Sequence, residues 1–185
     1  MGELVPALLR LKEQGKIRFL AASESFGSDT AHEAFQQAMQ DDVWEVAMVG
    51  FNILNQSARD RVFPLTLQNG IGTECMFAVR RAFSQPQRLR EILEELIQRG
   101  EVDAGAVDLD DPLRFAVEES DAAGLAEVAY RFCRYEPGMD VILTGTGNIA
   151  HLEENVESLL KPPLPAPVSE RLKQIFERVD SVSGS

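Results

Sequence analysis

The stretch VILTGTGNIAHLEENV, Val141 to Val156, sets an apolar tripeptide against a glycine-rich turn that opens directly onto an amphipathic run. Val141, Ile142 and Leu143 form the short apolar run of a strand covered on both faces. Gly145 and Gly147 allow positive φ or a close backbone approach. Asn148 is placed to cap the following helix by accepting from one of its free N–H groups. Ile149, Leu152, Val156 and Leu159 fall on one helical stripe. The segment is therefore expected as strand, pliable turn and helix N-terminus, whose free N–H groups can hold an anion. TGTGN matches neither GxGxxG nor the phosphate-binding P-loop, and on the local pattern alone a plain connection is the commoner reading.

Working outward, the same alternation runs through the chain. Leu4, Leu8, Leu9 and Leu11 belong to a helix that stops near Gly15, and KIRFLAAS supplies a strand over about Ile17–Ala22. Ser28 or Asp29 starts a helix running to about Gln40, with Ala31, Ala34, Phe35 and Ala38 inward. VWEVAMVGF is the second strand, and Ser57 caps a helix leading to Gly70. IGTECMF is the third strand. An amphipathic helix is expected over Gln87–Gln98, then the acidic loop GEVDAGAVDLDD, then a helix over Ala122–Tyr135. DVILT is the fourth strand. Residues 161–180 form an extension containing a terminal helix from Ser169 to Val179, and SVSGS, 181–185, reads as a disordered tail.

Four βα units without hairpin signals imply a parallel sheet with helical crossovers in one domain, residues 1–185. An open doubly wound sheet and part of a closed (β/α)8 barrel both fit. A complete barrel takes about 250 residues, and this chain has strands for half. It also opens with a helix that no strand precedes, as a chain does when the first half of a barrel is missing.

Composition narrows the function classes. With 185 residues and 44% apolar content the chain is long enough to bury a sizeable core. Its net charge of −12 argues against binding a nucleic-acid backbone or an anionic membrane surface. It carries neither a long uncharged apolar stretch nor a signal-peptide pattern. Cys75 and Cys133 lack metal-site spacing and read as buried thiols of a reducing, cytoplasmic compartment. Asp108, Asp110 and Asp111 are a loop charge run without EF-hand spacing, so no metal site is expected.

LLRLKEQGKIRFLAASES resembles the helix-to-strand passage at the middle of aldo-keto reductases. VAMVGFNILNQ and QNGIGTECMFAVRRAF are similar to their next two strands, and MDVILTGTGNIAHLEENV to the last strand and the cofactor-binding helix. The trailing PPLPAPVSERLKQIF also fits, so the likeness covers nearly the whole chain in order. It implies the C-terminal half of a (β/α)8 barrel and carbonyl reduction with NADP or NAD, the cofactor lying at the C-terminal ends of the strands. By the same resemblance, Gly145, Thr146, Gly147 and Asn148 match the turn at the adenosine end, and His151, Glu154 and Asn155 the side chains facing the adenosine phosphate and adenine. Ser23 and Glu24 match the pair that contacts the nicotinamide carboxamide. Glu24 stands where the family often has Asn, and an ionised carboxylate can accept from the amide but not donate to it. Met48 replaces a frequent Gln, and Met76 falls near a position that often stacks an aromatic ring on the nicotinamide.

Hydride transfer to a carbonyl needs an acid for the developing alkoxide. The resemblance places the family's Tyr, Lys, Asp and His upstream of this chain. Tyr130 and Tyr135 lie on the helix before the last strand and read as one packing and one surface residue, and His32 as a solvated helix residue. No catalytic residue is therefore expected. Two functions remain: the C-terminal portion of a reductase, inactive alone, or a half-barrel that self-associates or pairs with a complementary half as a structural or nucleotide-binding module.

Overall fold

Four short parallel strands, β1 (Ala21–Ser23), β2 (Val46–Gly50), β3 (Gly72–Met76) and β4 (Val141–Ile142), lie side by side in chain order. The computed structural model describes residues 3–185. Every pairing is parallel, and the register aligns Ser23, Met48, Glu74 and Val141 across the sheet. Ala47, Val49, Thr73 and Cys75 point to one face and are buried, whereas Met48, Glu74 and Met76 alternate onto the other, partly open face. This is the period of two expected of a strand, with one face packed and one not. The strands are shorter than their apolar runs suggest; β1 starts at Ala21, four residues after Ile17.

The connecting helices are α1 (Leu4–Glu13), α2 (Glu33–Ala38), α3 (Ala58–Arg61), α4 (Phe63–Asn69), α5 (Arg81–Ser84), α6 (Pro86–Gln98), α7 (Arg114–Glu118), α8 (Leu125–Arg134), α9 (Ile149–Leu160) and α10 (Ala166–Phe176). Helix α1 ends as expected: Gly15 takes φ 69°, and the N–H groups of Gly15 and Lys16 return to the carbonyls of Lys12 and Leu11. The helix expected from Ser57 to Gly70 is divided at Val62. Pro64 has no N–H to continue the ladder, and Ser57 spends its hydroxyl on Asn55 Oδ1 at 2.6 Å rather than on a cap. Helix α6 buries Leu89, Ile92, Leu93 and Leu96, one stripe at helical spacing, and its Arg90 ties down the acidic loop through Leu109 O and Asp110.

Two expectations fail at the ends of the sheet. β4 is not covered on both faces: Val141 is 49% exposed and Leu143 39%. Of the expected α9 stripe, Ile149, Leu152 and Val156 are exposed and only Leu159 packs against the core; Leu160 beside it is exposed too. Val141, in register with Glu74 and Met48, and Leu143 two residues on point to the open face of the sheet, and α9 follows the edge strand β4, with no further strand–helix unit beside it among the described residues. The tail is also corrected. Ser183 O accepts from Asn52 Nδ2, Val182 O from Asn55 Nδ2, Gly184 O from Ala82 N and Ser185 O from Arg88. Asn52, Asn55 and Arg88 side chains and the Ala82 N–H thus hold a segment whose composition reads as disordered. Among the described residues no helix is long and apolar enough to cross a membrane.

Candidate cofactor cleft

A cleft of about 350 Å³ opens between the loop after β3 and the β4–α9 turn. Its lining includes Phe77, Ala78, Val79 and Ser84 from the first element, Leu143 to Thr146 from the second, Ala126 and Tyr130 from α8, and His151, Glu154 and Asn155 from α9. Three polar side chains close its inner end: Tyr130 Oη lies 2.8 Å from Thr144 Oγ1, to which Asn155 Nδ2 donates at 2.7 Å. That bond leaves the Asn155 carbonyl oxygen as an acceptor. Desolvation raises the Tyr130 pKa above its ordinary value of 10.0, against a smaller lowering by Thr144, so its hydroxyl stays protonated at neutral pH. With Leu143, Val79 and Ala126 for apolar walls, the cleft suits a flat heteroaromatic ring with polar edges.

The turn is built largely as its residues suggest. Asn148 caps α9, its Oδ1 accepting from Ala150 N at 3.0 Å. Neither Gly145 nor Gly147 takes a positive φ, and a Cβ at either would meet nothing within 4 Å. The glycines here leave open space for an approaching group rather than permitting a strained backbone. His151 and Glu154 are exposed at the cleft mouth.

The eleven residues singled out from the sequence fall into separate groups. Gly145, Thr146, His151, Glu154 and Asn155 line the cleft together, while Gly147 and Asn148 form the helix start beside it. Ser23 and Met48 are register partners on the open sheet face, with Ser23 Oγ 3.5 Å from Met48 Sδ, and Met76 lies on β3 opposite Gly50. Glu24 departs from its expected role. Its side chain is 1% exposed; one carboxylate oxygen accepts from Gly50 N, and the other lies 2.7 Å from His32 Nδ1. A carboxylate committed on both oxygens inside the protein does not present itself to a carboxamide. His32, expected in solvent, is fully buried at φ 58° immediately before α2.

Thr144, Tyr130 and the Phe77–Val79 loop were not singled out as cleft residues. Only the TGTG adjacency hinted at Thr144, and nothing local signals that α8 passes behind it. Tyr130 and Tyr135 hydrogen-bond to Thr144 and to the Lys161 carbonyl, and neither has a lysine or histidine side chain as hydrogen-bond partner. The thiols of Cys75 and Cys133 are buried and free, both near the Phe51 carbonyl. Among the described residues no group of three or more His, Cys, Asp or Glu could hold a metal ion.

The profile of the aldo/keto reductase family matches residues 1–177. No curated protein matches the chain. Among solved structures, the holo form of aldo-keto reductase AKR11C1 from Bacillus halodurans is similar with a TM-score of 0.63 at 18% identity, over 96% of this chain and 57% of that one. Its apo form gives 0.61 at 18% identity, over 95% of this chain and 56% of that one. The chain therefore spans a little over half the length of these structures, which share its fold. With a family profile running over nearly its full length, the chain belongs to the aldo/keto reductase family.

Proposed function

We propose that this chain is the cofactor-holding C-terminal portion of an NAD(P)-dependent oxidoreductase acting on carbonyl or alcohol substrates, its four (β/α) units being half of a (β/α)8 barrel. The observation that carries the reading is the cleft that brings Thr144, Gly145, Thr146, His151, Glu154 and Asn155 together beside the start of α9. In this reading Leu143, Val79 and Ala126 would hold the adenine, the Asn155 carbonyl oxygen would be free to accept from its amino group, and the N–H groups of α9 with His151 would hold the adenosine phosphate. The cofactor, when bound, supplies the hydride. The chain's own residues bind and orient it, and neither tyrosine is set up to protonate an alkoxide. A sheet with one face packed and one open, bounded by two edge strands, supports the half-barrel reading.

The test separates binding from chemistry. Calorimetry of the purified chain with 2′-phospho-ADP-ribose should show binding. Aldehydes or ketones should produce no NADPH oxidation above background. Failure to bind removes the cofactor reading, and turnover that survives Tyr130→Phe and Tyr135→Phe shows that the acid comes from elsewhere in this chain.

A second reading is a non-catalytic half-barrel that self-associates or pairs with a complementary half. The exposure of Leu4, Leu9 and Phe19 at one end of the sheet, and of Val141, Ile149 and Leu160 at the other, favours it.

A further inference from the structure

The most heavily buried ionisable pair among the described residues is Glu24–His32, just past the end of β1, with side chains 1% and 0% exposed. A carboxylate and an imidazole removed from water persist only where their remaining polar atoms are satisfied or where they serve a purpose beyond stability. Here the satisfaction is incomplete, because His32 Nε2 is buried without a partner. The pair is also held under strain. His32 sits at φ 58°, in the left-handed region that few residues other than glycine adopt, and its ring stacks on Phe26 at 5.2 Å with an interplanar angle of 17°. Phe26 in turn fills the space over Gly50, where a Cβ would fall 2.1 Å from its Cγ. Such over-determination marks a place where geometry is being enforced.

What it enforces follows from the strand ends. β1 is three residues long and lies at the edge of the sheet. Its last rung pairs Ser23 with Met48, and Glu24 N continues it to Met48 O at 3.3 Å. Beyond that point the main chains part, and the Glu24 carboxylate takes up the N–H of Gly50. Glu24 therefore straps β1 to β2 just past the Ser23–Met48 rung, and His32 holds the strap from behind.

We propose that Glu24 and His32 are positioning residues that fix Ser23 and Met48 at the strand ends, and so shape the seat of the nicotinamide carboxamide without touching it. The inference rests on the cofactor reading above and on the resemblance that matches Ser23 and Met48 to the nicotinamide end. Both Ser23 Oγ and Met48 Sδ stand on the open face, within 3.5 Å of each other, while the carboxylate between their strands faces inward.

Two ligands separate this role from a purely structural one. 2′-Phospho-ADP-ribose carries the adenosine end, the pyrophosphate and the second ribose, and NADPH adds only the nicotinamide. The unmodified chain should bind NADPH more tightly. In His32→Ala that advantage should shrink by about threefold or more, the scale of a lost polar contact, while the affinity for 2′-phospho-ADP-ribose stays the same. His32→Asn keeps a donor near the Nδ1 position and tolerates positive φ, so it should restore the advantage. Independently of any variant, NADPH but not 2′-phospho-ADP-ribose should shift the imidazole NMR signals of His32. If neither ligand binds, the cofactor reading falls and this proposal falls with it. If both bind, the proposal alone is overturned by any one of three results: equal affinities in the unmodified chain, an unchanged ratio in His32→Ala, or His32 signals indifferent to NADPH.

Discussion

Gly50 is a residue whose identity is set by its neighbour rather than by its own backbone. A methyl group there would lie 2.1 to 2.5 Å from three atoms of the Phe26 ring, and Phe26, only 1% exposed, has nowhere to withdraw. Gly50→Ala should therefore destabilise the fold by about 1–3 kcal/mol, the usual cost of overpacking. Urea unfolding checks this, and shrinking Phe26 to Ala should lower the penalty of the glycine change, since residues in contact are coupled. A second residue-scale prediction concerns His151 at the cleft mouth. An imidazole cannot offer a phosphate the bidentate, permanently charged fork of a guanidinium, and Glu153 and Glu154 lie close along the chain. NADPH should be favoured over NADH by less than about tenfold, roughly 1.4 kcal/mol. His151→Arg should strengthen NADPH binding selectively by about 1–2 kcal/mol. Unchanged affinities for both cofactors would mean that His151 does not face the phosphate.

Between elements, the joint most dependent on charge is the one fastening the stretch after α9 to α8. Arg131, 5% exposed, donates to Glu127, to Ser120 O and to the carbonyls of Pro162 and Pro163, while Lys161 donates to Glu127 at 3.0 Å. Removing Arg131 leaves Glu127 with Lys161 and the Ala123 N–H but takes the side-chain donor from three carbonyls, so Arg131→Met should cost about 3 kcal/mol in urea unfolding. Desolvation by itself would raise the Glu127 pKa. The N–H of Ala123 together with Lys161 and Arg131 outweighs it, and the pKa falls below the ordinary 4.5. A carboxylate depressed in the folded state contributes stability above its unfolded pKa and loses it as pH falls through the folded one. The stability gap between the unmodified chain and Glu127→Gln should therefore narrow as pH drops from neutral to below about 4.5. A gap independent of pH would show that the pair contributes by shape and not by charge.

At the scale of the whole molecule, the two ends of the sheet dominate behaviour. Apolar side chains stand exposed on α1 (Leu4 and Leu9), on β4 and on the stripe of α9, next to unpaired edges of β1 and β4. Unpaired strand edges beside apolar faces associate in water. The purified chain should sediment at low micromolar concentration as dimers or larger species. A compact monomer that unfolds cooperatively would contradict this.

The sequence by itself determined what depends on neighbours a few residues away. The strand–helix alternation follows from apolar periodicity, the stop of α1 from Gly15, and the Asn148 cap from a side chain reaching a backbone group two residues on. Steric and hydrogen-bonding preferences of that range are written in the local order of residues. They also carry most of the cleft's α9 side, because His151, Glu154 and Asn155 follow one another at helical spacing. The tertiary structure alone decided the rest. An apolar stripe on α9 is the same whether it is covered or bare, and it is bare at Ile149, Leu152 and Val156 because no further strand–helix unit stands beside it among the described residues. Glu24 turned inward because Gly50, 26 positions away, offers an N–H and His32 a ring, and Tyr130 entered the cleft because α8 passes behind Thr144. These outcomes rest on contacts between distant segments, whose free energy depends on which groups meet once water has been excluded, and no local pattern encodes that meeting.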